Sequence, residues 1–273
     1  MAFDGRNEWQ MHPLSGGSGE AFMGVRNNEK VFFKRNSSPF IPSLSAEGLA
    51  PKLMWTQRTY SGDLLTAQEW KNATQLTKQH MNDERVIQLI RHIHQSDHLL
   101  MLLRRVQNEA FIPIDFIDRY FDNLPPSLYS HQFFNQVIRS LEDMVDDDFY
   151  HCRYAVCHGD LNHNNFMIDD SREIFLVDWE EVKIADPISD ITWLLLQYYQ
   201  PSEWMNWFEL YDFEIDETFY KRVKWYSLMN CLLLIKQFSI ENRPQQMNHY
   251  ILLLKKIYDA EDLSKEETHA TEK

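Results

Sequence analysis

The stretch from residue 155 to residue 181 constrains this chain more than any other. A short apolar run, Ala155-Val156-Cys157, leads into His158-Gly159-Asp160-Leu161-Asn162-His163-Asn164-Asn165. Phe166-Met167-Ile168 follows, then Asp169-Asp170-Ser171, then Ile174-Phe175-Leu176-Val177 running into Asp178-Trp179-Glu180-Glu181. Apolar runs of three or four residues, broken by Asp, Asn, Ser and Gly, read as strands joined by turns. The spacing predicts a strand–loop–strand–turn–strand unit. It presents Asp160, Asn165 and Asp178 at strand ends, where their side chains can converge on one pocket.

Those residue types suit phosphoryl transfer. A carboxylate facing a hydroxyl orients it and accepts its proton. Magnesium takes hard oxygen ligands, and one amide with one carboxylate leaves room for phosphate oxygens and water. Phosphoryl transfer asks the protein for positioning and charge neutralisation rather than covalent chemistry. The five-residue step from Asp160 to Asn165 is the Asp-x-x-x-x-Asn step of the protein-kinase catalytic loop.

Length and composition fit a folded enzyme. The 273 residues allow one large domain or two lobes, and 44% apolar with 14% aromatic residues supports a sizeable core. The net charge of −14 argues against long-range attraction to nucleic acid or an anionic membrane. The three cysteines, Cys152, Cys157 and Cys231, are an odd and sparse set, which points to a reducing compartment. Cys152 and Cys157 lack a second pair to complete a zinc site and read as core residues. No basic stretch followed by an apolar run opens the chain, so no signal peptide is expected. The densest apolar stretches, 191–196 and 231–235, fall far short of the ~18 residues of a membrane span. A cytoplasmic protein is expected.

Along the chain, the first 70 residues read as strands and turns. Residues 20–25 and 30–34 flank Asn27-Asn28, a hairpin signal because Asn tolerates positive φ. Residues 52–57 and 64–69 flank Ser61-Gly62-Asp63, a second hairpin. Between them Pro39, Pro42 and Pro51 leave room for one short helix near 43–49. Helical periodicity then marks 84–94, 130–143, 187–199, 219–239 and 249–257. The charged residues 259–273 read as a frayed tail.

Together, His-Gly-Asp-x-x-x-x-Asn and Val-Asp-Trp-Glu resemble the aminoglycoside phosphotransferase and choline kinase family, over roughly residues 14–257. The resemblance implies an α+β, two-lobed protein-kinase-like fold. Its small β-rich N-lobe would span 1–69 and its larger, mainly helical C-lobe 70–258. It also implies an ATP- and magnesium-dependent phosphotransferase acting on a small-molecule hydroxyl. On that resemblance Asp160 is the catalytic base, and Asn165 and Asp178 are the magnesium ligands. Lys34, which ends the Val31-Phe32-Phe33 run, holds the α/β-phosphates. Ser15, Gly16, Gly17, Ser18 and Gly19 form the phosphate-covering loop, and residues 67–70, with Gln68 and Trp70, form the hinge that meets adenine. Trp179 and Glu180 are candidate acceptor contacts.

Some positions depart from the kinase patterns. Phe22 stands where a third loop glycine would fall. Glu47 is the only acidic residue between Lys34 and Pro51, so it is the candidate partner of Lys34 from the first helix. Gly159 replaces the Arg of the protein-kinase His-Arg-Asp, and Ala185-Asp186-Pro187 stands where Ala-Pro-Glu would follow; both features fit small-molecule kinases.

Other residues carry two readings. His94 and His98 could share a helix face as metal ligands, but no carboxylate sits at the right offset, and His94 reads as a core residue. Asp190 reads as a structural acid bonding loop N–H groups, and His158 as a brace for the loop. Trp193, Tyr198, Tyr199, Trp204, Trp207 and Trp225 suit a cation–π box, a stacking platform for a base or sugar, or simply a helical core.

Within the family, three segments resemble the CcrZ branch of bacterial cell-cycle regulators: residues 44–53, Thr66-Ala67-Gln68-Glu69-Trp70 and His-Gly-Asp-Leu-Asn-His-Asn-Asn. That implies a nucleoside or (deoxy)ribosyl acceptor and partners in cell division or replication. The alternatives are a choline- or aminoglycoside-type kinase, and a catalytically weak kinase fold that works by binding partners. The intact Lys34, Asp160, Asn165 and Asp178 count against the last.

Overall fold

The computed structural model describes residues 9–14 and 20–260. Residues 15–19, the expected phosphate-covering loop, and 261–273, most of the expected tail, lie outside the described residues.

A five-stranded antiparallel sheet opens the fold. Its strands are β1 (Gln10–Pro13), β2 (Ala21–Arg26), β3 (Glu29–Arg35), β4 (Leu53–Arg58) and β5 (Leu64–Glu69), in the order β1-β2-β3-β5-β4. Asn27 and Asn28 both take positive φ, 47° and 66°, which gives the β2–β3 turn the twist a tight hairpin needs. Side chains alternate across β3. Val31 and Phe33 turn into a small core with Leu65 and Ala67, so Lys34 emerges on the opposite face. Gly24 is what lets Phe33 lie flat on β2, since a Cβ there would stand 2.2 Å from the Phe33 ring.

Between the two hairpins, α1 spans Ile41–Ala46, earlier than the 43–49 expected. Pro42 sits in its first turn, where a missing N–H costs nothing and a fixed φ favours the helix. Phe40, Ile41, Leu44 and Leu49 join the larger core rather than the small one, and α1 packs on α3 (Asp97–Leu103).

The helical part continues with α2 (Glu84–Gln95), α4 (Pro113–Phe121), α5 (Pro126–Tyr129) and α6 (Gln132–Met144). The expected strand unit appears as β7 (Ala155–Cys157), β8 (Phe166–Asp169) and β9 (Ile174–Leu176). Two further three-residue strands complete it. β6 (Ala73–Gln75) pairs with β8, and β10 (Lys183–Ala185) pairs with β7. Then come α7 (Pro187–Tyr198), α8 (Trp204–Tyr211), α9 (Phe219–Ile240) and α10 (Pro244–Asp259). The last helix extends through Asp259, one residue past the expected lobe boundary.

The long helix α9 is the spine of the large core, packing against α4, α6, α7 and α10. Polar ties fix its register. Arg222 donates to Asp186 at 2.7 Å with both side chains buried, and Asn230 donates to the Ser189 carbonyl and the Thr192 hydroxyl of α7. No described helix is long and apolar enough to cross a membrane.

Candidate active site

Strands β7 and β9 deliver the two ends of the site, and a hydrogen-bonded loop locks them together. From β7 the chain enters the loop 158–165. Gly159 takes φ 85°, and a Cβ there would stand 2.3 Å from the Glu181 carbonyl oxygen. Only glycine fits, which explains why the arginine of protein kinases is absent. The Asp190 carboxylate anchors the turn, accepting from the His158 N–H at 2.6 Å and the Gly159 N–H at 2.8 Å. Burial opposes the Asp190 charge, but the hydrogen bond from His94 and the neighbouring dipoles and charges outweigh it and hold its pKa below the ordinary value. His94 is thus a buried core histidine, bonded to Asp190 and to the Tyr211 hydroxyl. His98 lies exposed beside Glu47.

His158 joins the two halves. Its Nε2–H donates to the Val177 carbonyl at 2.9 Å, and its Nδ1 accepts from the Asp160 N–H at 3.3 Å. Accepting at Nδ1 needs the neutral ring; the Nε2–H bond forms in either state. Burial accordingly pulls its pKa down.

Asp160 is held on one oxygen. Both Asn162, at 2.9 Å, and Asn165, at 3.0 Å, donate their side-chain amides to Asp160 Oδ2. Oδ1 is free of these amides. Asn165 also donates to the Asp160 carbonyl at 2.9 Å, so its Nδ2 is committed and its amide oxygen is the end left to a cation. Asn162 was not singled out in the sequence, although it stands inside the motif two residues after Asp160.

Asp178 follows directly. The Val177 N–H donates to the Asn165 carbonyl at 2.9 Å, which sets residues 165 and 178 side by side. Asp178 itself takes left-handed φ/ψ of 64° and 58°. Asp tolerates that region better than most residues, and the bend sends successive side chains apart. Asp178 and Glu180 emerge half exposed, at 49% and 44%, while Trp179 turns inward.

Lys34 reaches this corner from β3. Its Nζ lies 3.0 Å from Asp178 Oδ1 and 2.6 Å from Glu180 Oε1. Burial works against its charge, yet Glu180 and Asp178 outweigh that and raise its pKa.

Four expectations need correction. Glu47 is not the partner of Lys34; it caps the end of α1 and faces His92 and His98 at 3.9 and 3.8 Å. Glu180 faces Lys34 rather than an acceptor. Trp179 is 1% exposed, gives its indole N–H to the Leu176 carbonyl and packs its ring on His158, so it cannot stack on a ligand. Gln68 lies inside β5, paired with Phe32 on one side and Leu53 on the other, and donates its amide to Pro51. Its groups hold the sheet. Trp70 is the first residue past that strand and donates to Asn72. Of the aromatic candidates, Trp204, Trp207 and Trp225 are buried core, while Trp193 lines a cavity beside Gly159.

The donor set at Asn165 and Asp178 consists of hard oxygens from one amide and one carboxylate, which fits magnesium and not a soft metal. Lys34, Asp160, Asn165 and Asp178 therefore bring an ammonium, a carboxylate fixed on one oxygen, and an amide oxygen beside a second carboxylate into one hydrogen-bonded unit.

The model of the phosphotransferase enzyme family matches residues 39–222. Among solved structures, the chain is similar to the choline kinase LicA from Streptococcus pneumoniae, with a TM-score of 0.67 and 15% identity over 90% of this chain and 93% of that one. It is similar to an ethanolamine kinase from Plasmodium vivax, with a TM-score of 0.61 and 12% identity over 92% and 82% of the two chains. It is also similar to the aminoglycoside phosphotransferase APH(2")-IIia solved with GDP and kanamycin, with a TM-score of 0.58 and 14% identity over 91% and 93%. At these identities the likeness carries the protein-kinase-like fold.

Proposed function

The chain belongs to the phosphotransferase enzyme family, and on that premise we propose that it transfers the γ-phosphoryl group of ATP to a hydroxyl of a small molecule. One observation supports this reading best. The Asp160 carboxylate is held on a single oxygen by two amides, in the same hydrogen-bonded unit as Asn165 and Asp178, and Asp178 in turn pairs with Lys34.

In this reading Asp160 Oδ1 receives the acceptor hydroxyl, orients it and takes its proton as the bond to phosphorus forms. Asn162 and Asn165 fix the carboxylate so that no rotamer search precedes the reaction. Lys34 exchanges its carboxylate partners for phosphate oxygens. The Asn165 amide oxygen and the Asp178 carboxylate would hold magnesium, which would supply charge neutralisation. The chain around Trp70 borders the base. Nucleotide use draws support from relatives solved with AMP and with GDP.

The acceptor we assign is a nucleoside or (deoxy)ribosyl compound. Its support is the sequence resemblance of residues 44–53 and 66–70 to the cell-cycle-regulator branch. Contact with division or replication proteins rests on the same resemblance.

The test is a calorimetric titration of ATP with and without magnesium. Asp178→Ala should keep or tighten magnesium-free ATP binding, because Lys34 is released, and should lose the magnesium enhancement. Asn165→Ala should weaken the enhancement. Full enhancement in the Asp178 variant would remove that residue from the ligand set.

A further inference from the structure

A cavity of about 320 Å³ opens beside Gly159, between α4, α7 and α9. That volume suits a small metabolite. Its charged lining is mostly spoken for. Arg119 pairs with Glu181 at 2.8 Å. Lys236 donates to the backbone carbonyls of Arg119 and Asp122. Asp190 is spent on the loop N–H groups and on His94.

Lys183 is different. It is only 7% exposed, yet its ammonium makes no hydrogen bond or ion pair with the described residues. Its ammonium faces the Phe111 ring, 5.2 Å from Nζ to the centroid. A buried ammonium without a counter-ion is costly. Burial and the nearby Arg119 pull its pKa below the ordinary lysine value, although Asp190 and Glu181 oppose this at longer range.

A second lining residue shows the same deficit. The Trp193 indole N–H is buried and has no partner. The cavity therefore presents two unpaired donors, Lys183 Nζ and the Trp193 indole N–H, beside one lining amide oxygen, Asn230 Oδ1, that accepts from no described residue. Unpaired buried donors are rare in folded chains, and the chemistry that answers both is an oxygen-rich anion. A cationic guest would place a second positive charge against Lys183. A neutral guest would leave the ammonium without a counter-ion.

The position ties this to the reaction. Lys183 Nζ is so close to the loop that a Cβ on Gly159 would stand 2.6 Å from it, and Gly159 immediately precedes Asp160. We propose that this cavity is the acceptor pocket, and that the acceptor carries, besides its reacting hydroxyl, a phosphate or carboxylate group that pairs with Lys183 and Trp193. The inference rests on the kinase reading above. Within the nucleoside-or-(deoxy)ribosyl reading it selects the anionic (deoxy)ribosyl compounds, such as a pentose phosphate, or else a sugar acid, and it turns away from neutral nucleosides, choline and aminoglycosides.

The experiment compares matched acceptors with ATP and magnesium: ribose against ribose 1-phosphate and ribose 5-phosphate, glucose against gluconate, with choline and kanamycin alongside. An anionic member should exceed its neutral parent at least tenfold in kcat/KM. Lys183→Met should bring that ratio to about one, chiefly through KM. In parallel, binding of ribose 5-phosphate and gluconate is measured by calorimetry without ATP. Lys183→Met and the milder Trp193→Phe should each weaken it, with thermal melting confirming that both variants fold. Preference for a neutral or cationic acceptor, or a preference for anions that survives Lys183→Met, overturns the inference and leaves the kinase reading standing. Lys183-dependent anion binding without turnover of any compound sustains the anion site and defeats the kinase reading. Neither binding nor turnover overturns both.

Discussion

Lys34 Nζ lies 3.0 Å from Asp178 Oδ1, across 144 positions of sequence. The bond joins the sheet to the bend after β9, and Glu180 closes the same corner at 2.6 Å. Two half-exposed carboxylates surround one lysine; in the proposed reading Asp178 would turn to magnesium and Lys34 to the phosphates when nucleotide binds.

Lys34→Met should raise the KM for ATP by roughly 10- to 150-fold, the worth of one hydrogen bond to a charged group. Stability should change little, because the two carboxylates it leaves are partly solvated. Steady-state kinetics and a urea melt check both halves. An unchanged KM would remove Lys34 from the nucleotide site.

Gly159→Ala should cripple the enzyme. The added Cβ meets the Glu181 carbonyl at 2.3 Å and demands a φ of 85° from an L residue. The backbone strain alone costs about 1–3 kcal/mol, and the clash displaces the loop that carries Asp160. A fall in kcat of more than tenfold is expected. A variant with near wild-type kcat would show that the loop tolerates movement.

Trp179→Ala should act on stability rather than on substrate. The ring is 1% exposed and packs on His158. Losing a buried Trp costs about 3–5 kcal/mol. Chemical denaturation should show that loss. A stable variant with a raised acceptor KM would put Trp179 back in the acceptor site.

Acid should weaken the fold through His158. Its pKa is lowered in the folded protein from the ordinary 6.5. In the unfolded chain it takes up a proton near pH 6.5, and in the folded chain only at lower pH. Stability is therefore full above pH 6.5 and falls as pH drops below it, by up to about 1.4 kcal/mol per pH unit for one proton. Urea melts at pH 7, 6 and 5 measure the slope, and His158→Gln should flatten it. A slope unchanged by that substitution would mean that His158 is not held neutral.

Local chemistry made much of this legible in advance. The Asn27-Asn28 turn, the alternation along β3 and the motif of residues 155–181 each carry their signal within a few residues. β6 and β10 do not: three residues have no period to read, and each becomes a strand only because β8 or β7 lies beside it. Pro42 misled in one direction: it stands in the first turn of α1, where it starts a helix rather than forbids one, and α10 likewise opens on Pro244, ahead of the periodicity that begins at 249. Trp179 misled for a steric reason, since the left-handed bend at Asp178 turns adjacent side chains apart. Lys183 was invisible because its meaning lies in Gly159, 24 positions away. The available hint was a lysine inside the apolar run Val182-Lys183-Ile184-Ala185.

The most direct test of the central claim is transfer of labelled γ-phosphate from ATP to the acceptor panel by the wild type and by Asp160→Asn. The predicted result is magnesium-dependent transfer by the wild type to at least one hydroxyl compound. The Asp160→Asn variant should be slower by about 10²–10⁴ in kcat while binding ATP as before. Transfer by the variant within a few-fold of wild type would contradict the role of Asp160, and no transfer by the wild type to any acceptor would contradict the kinase reading itself.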